Sequence, residues 1–252
     1  MDRVLGIDLN CDLGEGFGPY TLGADAEMMP WITSANVACG LHAGDPQVMA
    51  RTVALAMAHG VAVGAHPGYP DLQGFGRRAM TLSPQALTSA LHYQLGALGA
   101  FARVQGVDMV HVKPHGALNN LAARDYQTAL TVAEAVAAYD PNLILVGPGS
   151  SELCRAGVDV GLRVAREGFP DRGYLPDGQL MPRGQAGALI SDPQQVAQNA
   201  VRLAREGIAG AHIDTLCLHG DNPDAVENAR QVRKALEAVG IDIQPLAEIL
   251  RG

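Results

Sequence analysis

The sequence predicts an α/β protein, a distorted (β/α) barrel of about seven parallel strands. It is expected to occupy all of residues 1–252 as one domain. Three observations lead there. Short apolar runs alternate with longer amphipathic stretches along the whole chain. Several of the amphipathic stretches open on Ser, Asp or Asn before Pro and close at Gly, as helices do. No internal repeat, low-complexity tract or Gly/Ser-rich linker interrupts the pattern. A barrel accounts for this wiring better than an open sheet, although periodicity does not distinguish closure from an open doubly wound arrangement.

Taken in order, the strands are "VLGIDLN", "SANVAC", "VAVGAH", "MVHVKPH", "NLILVG", "GLRVARE" and "DTLCLHG". Each is short, rich in β-branched or aliphatic residues, and bounded by Gly, Pro or Asp. The helices between them are "PQVMARTVALAMAHG", "SPQALTSALHYQLGALGAFARVQG", "DYQTALTVAEAVAAYD", "DPQQVAQNAVRLAREG" and "NPDAVENARQVRKALEAVG". The one long irregular piece runs from Gly168 to about Gly187.

Hydrophobic residues make up 48% of the chain, enough for a substantial core, and the formal charge of −8 argues against a nucleic-acid partner. Cys11, Cys39, Cys154 and Cys217 are far apart with no C-x-x-C pair, so reduced thiols are expected rather than a zinc ribbon or a disulfide framework. The opening "MDRVLGIDLN" lacks the apolar region of a secretory leader, and no apolar run is long enough to span a bilayer. The expectation is a soluble, cytoplasmic protein with no membrane partner.

Side chains alternate across a strand, which splits each strand into two faces. Val61, Val63 and Ala65 oppose Ala62, Gly64 and His66; Val110 and Val112 oppose His111, Lys113 and His115; Leu216 and Leu218 oppose Thr215, Cys217 and His219. Asp8 and Asn10 share a face of the first strand, and Arg163, Ala165 and Glu167 a face of the sixth. The apolar faces suit the surrounding helices, so the polar faces point into the barrel. In barrels of this kind the loops after the strands converge on one cup. Asp8, Asn10, Asp12, Glu15, His42, His66, Lys113, His115, Glu167 and His219 are therefore expected to share it. One buried His or Asp is ordinarily a hydrogen-bonded structural group. Polar residues recurring at most strand ends have a simpler common cause in a shared site.

Individual motifs narrow the chemistry. "DLNCDLGEG" lacks the Gly and Glu of a calcium loop, and Pro114 rules out a helical zinc pair in "HVKPH". "VGPGSSEL" suits an anion cradle or, better, an ordinary capped helix start. It is not a Walker A loop. Asp45-Pro46 in "CGLHAGDP" reads as a helix N-cap, which leaves His42 without such a role. "GAHPGYPDLQGFGRR" carries Tyr69, Asp71, Arg77 and Arg78, and "EGFPDRGYLPDGQLMPRG" carries Asp171, Arg172, Tyr174 and Arg183. Both loops are expected to cover the cup. With no G-x-S-x-G elbow and no protease-like cysteine context, carboxylates, imidazoles and a lysine suit water activation and proton delivery better than covalent catalysis.

"DLNCDLGEGFG", "SANVACGLHAGDP", "GAHPGYPDLQGFGRR", "VKPHGALNN", "EGFPDRGYLPDGQLMPRG" and "LCLHGDNPDAV" together resemble the LamB/YcsF lactam-utilisation family, the A subunits of 5-oxoprolinase, over essentially the whole chain. The resemblance implies a polysaccharide-deacetylase-like seven-stranded barrel. It also implies ATP-dependent opening of 5-oxoproline to L-glutamate, with ADP and phosphate released, in a complex with subunits B and C. ATP, with Mg, is the implied cofactor; a partner subunit is expected to help hold it, and a divalent metal held by Asp and His would suit the rim. On that reading Asp12 or Asp8 with His66 activates water, Lys113 and His115 steady developing negative charge, and His219 protonates the departing nitrogen. Arg77, Arg78 or Arg172 holds the substrate carboxylate, with Asn10, Glu15, His42 and Glu167 as further substrate contacts. Two rivals stay open: an ATP-independent metal-dependent amidohydrolase or deacetylase, and a non-catalytic scaffold subunit.

Overall fold

The structure, a computed structural model, describes residues 6–182, 184–220 and 224–251. Arg183 and the start of the first expected strand lie outside the described residues. Seven strands, β1 (Gly6–Leu13), β2 (Ser34–Ala38), β3 (Ala62–His66), β4 (Met109–Val112), β5 (Ile144–Pro148), β6 (Arg163–Gly168) and β7 (Thr215–Cys217), pair in chain order, all parallel. The last pairs with the first, Asp8 opposite Thr215, and closes the barrel. The open-sheet alternative is thereby set aside. β1 is the source of the distortion: it pairs with β2 from Asn10 upward, with β7 around Leu9, and at Gly6 and Ile7 with a short extra strand, β8 (Asp242–Ile243).

The helices are α1 (Asp25–Met28), α2 (Pro46–His59), α3 (Pro84–Val104), α4 (Gly116–Ala122), α5 (Tyr126–Tyr139), α6 (Glu152–Asp159), α7 (Pro193–Glu206), α8 (Ala225–Ala238) and α9 (Leu246–Ile249). The five longest match the five stretches read from sequence. Their ends are chemically specified: Asp45, Ser83, Asp125 and Asp192 accept backbone N–H bonds at the first turns of α2, α3, α5 and α7. Each such cap stabilises its helix by about 1 kcal/mol. Ser151 caps α6 through the Cys154 N–H, so "VGPGSSEL" is an ordinary helix start. Among the described residues no helix is long and apolar enough to cross a membrane. All four cysteines are buried free thiols.

Packing follows the two faces. Leu9, Cys11, Leu13, Val63, Ala65, Val112, Leu145 and Leu216 lie beneath the helices in one continuous apolar layer. Inside the barrel, Ile144, Val146 and Ala165 form a separate small cluster with Leu246 of α9, which plugs the lower end. Val110 joins this inner cluster rather than sharing the outer face with Val112, which corrects the sequence reading. The cause is a register shift between β3 and β4, where Val63 pairs with Met109 but Gly64 with His111. An extra residue in one strand resets the alternation.

Above the plug the interior is polar, and glycine makes room for it. A Cβ added at Gly64 would fall 2.1 Å from Nε2 of His111, a ring that is fully buried and hydrogen-bonded to Asn36 at 2.7 Å. Gly64→Ala is therefore expected to destabilise the fold by about 1–3 kcal/mol, the usual range for forced overpacking. Denaturant titration of the variant checks this, and an unchanged midpoint would contradict it.

Candidate active site

The inner face of β1 carries Asp8, Asn10 and Asp12 at increasing height. Asp8 is fully buried and accepts hydrogen bonds from the hydroxyls of Thr33, Ser34 and Thr215. Burial pushes its carboxyl up to about 6 against the opposing effect of those hydroxyls. It lies beneath the cup rather than on its wall, so the structure gives no contact for the catalytic role expected of it. Asn10 is also buried; it donates to Thr215 and accepts from Asn36 and from Lys113 at 3.2 Å. Its place is under the lysine, not against a ligand. Alternation assigns a side chain to a face and is silent about depth, which is why both were expected at the rim.

Asp12 reaches the cup. One carboxylate oxygen accepts from Lys113 Nζ at 2.9 Å and from Asn36 at 2.9 Å; the other lies 3.2 Å from Nε2 of His66. Burial opposes its ionisation, but the charges of His66 and Lys113 outweigh that and hold the carboxyl well below the usual range. Lys113, with 3% of its side chain exposed, also pairs with the buried Glu167 at 2.8 Å and touches Cys217 Sγ at 3.1 Å. Burial disfavours its charge, yet the two carboxylates raise its pKa well above the ordinary lysine value. A lysine between two carboxylates stays protonated and is a charge stabiliser, not a base.

Three histidines sit beside this ion pair. His66 Nδ1 donates to the Lys113 carbonyl at 2.7 Å, and His115 Nε2 donates to the Phe75 carbonyl at 2.8 Å. The inner nitrogens of these two rings face each other at 2.9 Å. His42 lies flat against His115, ring centroids 3.8 Å apart, and neither of its nitrogens has a hydrogen-bond partner although the residue is fully buried. Burial, followed by the neighbouring imidazoles, holds the His42 pKa well below 6.5, and burial brings His115 down to about 3. Glu15 completes the group, 3.6 Å from His115 and 3.8 Å from His42.

These strand ends open onto a cavity of about 310 Å³ whose lining includes Asp12, Glu15, His66, Lys113 and His115 on one side and Phe169, Arg172 and His219 on the other, with Arg77 at its edge. Both Gly/Pro-rich loops border it. His219 Nδ1 meets Asp171 at 2.6 Å; burial works against its imidazolium, but the hydrogen bond and charge of Asp171 prevail and its pKa is raised. Arg172 donates to the Ala188 and Met181 carbonyls and so also holds its loop closed on itself. Glu167 faces a second cavity of about 670 Å³ that shares Asn120, Pro148, Phe169 and Arg172 with the first and extends to Ser150 and Ser151. Arg78 is a correction. It pairs with Asp71, its side chain 62% exposed, and is absent from both cavity linings. The adjacent Arg77 takes the cavity position, its guanidinium 5.0 Å over the Phe75 ring.

Sequence reasoning missed Asn36, which bridges Asn10, Asp12 and His111, and the carbonyls of Lys113 and Phe75 that fix two imidazoles. Asn36 was findable, since it alternates with Ser34 on the same strand. The carbonyls carried no signal, because every residue has one.

With this geometry in hand, comparison with known proteins is informative. The family model for LamB/YcsF proteins matches residues 7–251. The chain belongs to the LamB/YcsF family. A relative from Syntrophobacter fumaroxidans, named as the A subunit of 5-oxoprolinase, is 55% identical over 244 residues, 94% of this chain and 96% of the relative. The crystal structure of a lactam utilization protein from Thermus thermophilus superposes with a TM-score of 0.89 at 47% identity, covering 95% of this chain and 99% of that one. More remotely, the catalytic domain of a peptidoglycan N-acetylglucosamine deacetylase from Eubacterium rectale gives a TM-score of 0.52 at 13% identity, over 97% of this chain and 90% of the other. That likeness extends the deacetylase-like barrel to this LamB/YcsF chain as a fold alone.

Proposed function

We propose that this chain is the A subunit of a cytoplasmic 5-oxoprolinase, opening the lactam ring of 5-oxoproline to L-glutamate at the cost of ATP, together with subunits B and C. The names of full-length LamB/YcsF relatives at about half identity support the reading. The observation that carries it is the pairing, across one cavity, of an ionised Asp12 held by Lys113 with a His219 whose proton affinity Asp171 raises. Such a pair offers a base and an acid at separate points, as hydrolysis of an amide needs.

Ring opening breaks the lactam C–N bond, adds a water oxygen to the carbonyl carbon and delivers a proton to nitrogen. Asp12 takes the water proton, and His219 gives the proton to the departing nitrogen. Lys113 offsets negative charge as it develops on oxygen, and Arg77 and Arg172 stand where the substrate carboxylate binds. A five-membered lactam is resonance-stabilised, so phosphorylating its oxygen from ATP supplies the leaving group that water attack alone lacks. No Walker A loop or kinase-type glycine loop is present in the sequence, which assigns part of the triphosphate contact to a partner.

The test is an assay of glutamate and phosphate from 5-oxoproline, ATP and Mg²⁺. The expected result is little coupled turnover with this chain alone and release of both products in equal amounts once B and C are added. Steady coupled turnover by the chain alone would remove the partner requirement. Glutamate formation without ATP would favour a simple amidohydrolase, and unchanged turnover in Asp12 and His219 variants of the full complex would favour a scaffold.

A further inference from the structure

We propose that Glu15, His42, His66 and His115 form a binding site for one divalent transition-metal ion of the zinc class. The starting point is hydrogen-bond direction. A carbonyl only accepts, so the contacts to Lys113 O and Phe75 O place the protons of the neutral rings on His66 Nδ1 and His115 Nε2. The nitrogens that remain, His66 Nε2 and His115 Nδ1, then carry lone pairs and face each other at 2.9 Å. Around them stand the carboxylates of Asp12, 3.2 Å from His66, and Glu15, 3.6 Å from His115. Two lone pairs and two anionic groups converge on one point with no donor among them. Something positive belongs there.

A single shared proton would reconcile His66 with His115 but would leave both nitrogens of the fully buried His42 without a partner. A metal ion engages all three rings. The spacing suits it: tetrahedral coordination with bonds of about 2.0–2.1 Å sets ligand atoms about 3.4 Å apart, and the separations from His66 to His115, His115 to Glu15 and His42 to Glu15 are 2.9, 3.6 and 3.8 Å. All four ligand atoms lie within 4.8 Å of one another. A ligating imidazole normally donates its far N–H to a carbonyl or carboxylate, which fixes tautomer and orientation, and two of these rings already do. Glycine permits the crowding: a Cβ at Gly76 would sit 2.8 Å from both His42 and His115, and one at Gly68 2.7 Å from His42 Nδ1. Three imidazoles and one carboxylate select zinc-like ions over Mg²⁺, which prefers all-oxygen sites. Bound there, the ion would act as a Lewis acid beside Asp12.

The site does not depend on the substrate assigned above, and its test uses none. The full chain is stripped with chelator and titrated with Zn²⁺ calorimetrically, and separately with Co²⁺ followed by its visible ligand-field bands. Expected are one ion per chain, a rise in melting temperature with Zn²⁺, Co²⁺ bands of a low-coordinate nitrogen-rich site, and no response to Mg²⁺. His115→Ala and Glu15→Gln, each checked for folding by circular dichroism, should weaken Zn²⁺ binding by more than about 100-fold, beyond what loss of an outer partner costs. Should either variant not fold, the wild-type Co²⁺ spectrum still decides. Absence of uptake by the wild type, octahedral Co²⁺ bands, or uptake unchanged in folded variants would overturn the site in favour of a shared proton or adventitious surface binding.

Discussion

Replacing Lys113 by methionine is expected to lower the unfolding free energy by about 3–5 kcal/mol, the range for breaking a buried ion pair from one side. The lysine stands between Asp12 and Glu167, 2.9 and 2.8 Å away, and Glu167 has no side-chain exposure. Methionine keeps most of the volume and removes the charge, leaving two carboxylates to face each other in the barrel interior. The double variant Lys113→Met, Glu167→Gln tests the cause. If the loss is electrostatic, adding Glu167→Gln should recover a substantial part of it, and a double-mutant cycle reads the coupling directly. Urea unfolding of the four proteins is the measurement. Equal, additive losses would mean that packing, not charge, is what Lys113 contributes.

Asp12→Asn should reduce coupled turnover by about 10²–10⁴-fold, the usual contribution of a positioned acid or base, with little loss of fold. The asparagine keeps the shape and can still meet the Asn36 amide and the Lys113 ammonium through its carbonyl oxygen, while Glu167 goes on pairing the lysine. What disappears is the ionised oxygen 3.2 Å from His66, at the wall of the cavity. Turnover of the complex with B and C, run beside a thermal melt, separates the outcomes. A variant that is folded and within about tenfold of wild type would take Asp12 out of the role of general base.

Much of this site was legible in one dimension because β-strands have a period of two. Once "VHVKPH" and "TLCLHG" are read as strands, Lys113 and Cys217 must face the same interior, and they meet at 3.1 Å. The same rule failed at Val110, where a register shift between β3 and β4 interrupts the period, and at Asp8, which has the right direction but the wrong height. Arg77 and Arg78 show a different failure. Adjacent arginines in an irregular loop have no period to sort them, and only the fold turns one to the cavity and the other to Asp71.

Sequence alone determined the parallel α/β wiring, the helix ends and the polar character of the barrel interior. Each of these is local: a cap needs a Ser or Asp at one position, and an inward residue needs only its parity along a strand. Tertiary structure decided closure, depth and protonation. Closure depends on β7 meeting β1 across the whole chain. The tautomers of His66 and His115 depend on carbonyls 47 and 40 residues away. The state of Asp12 depends on a lysine 101 residues distant. Electrostatic energies fall with distance in space and with burial, not with separation along the chain, so groups that a sequence lists far apart acquire their chemistry only when the barrel brings them within about 3 Å of each other in a low dielectric.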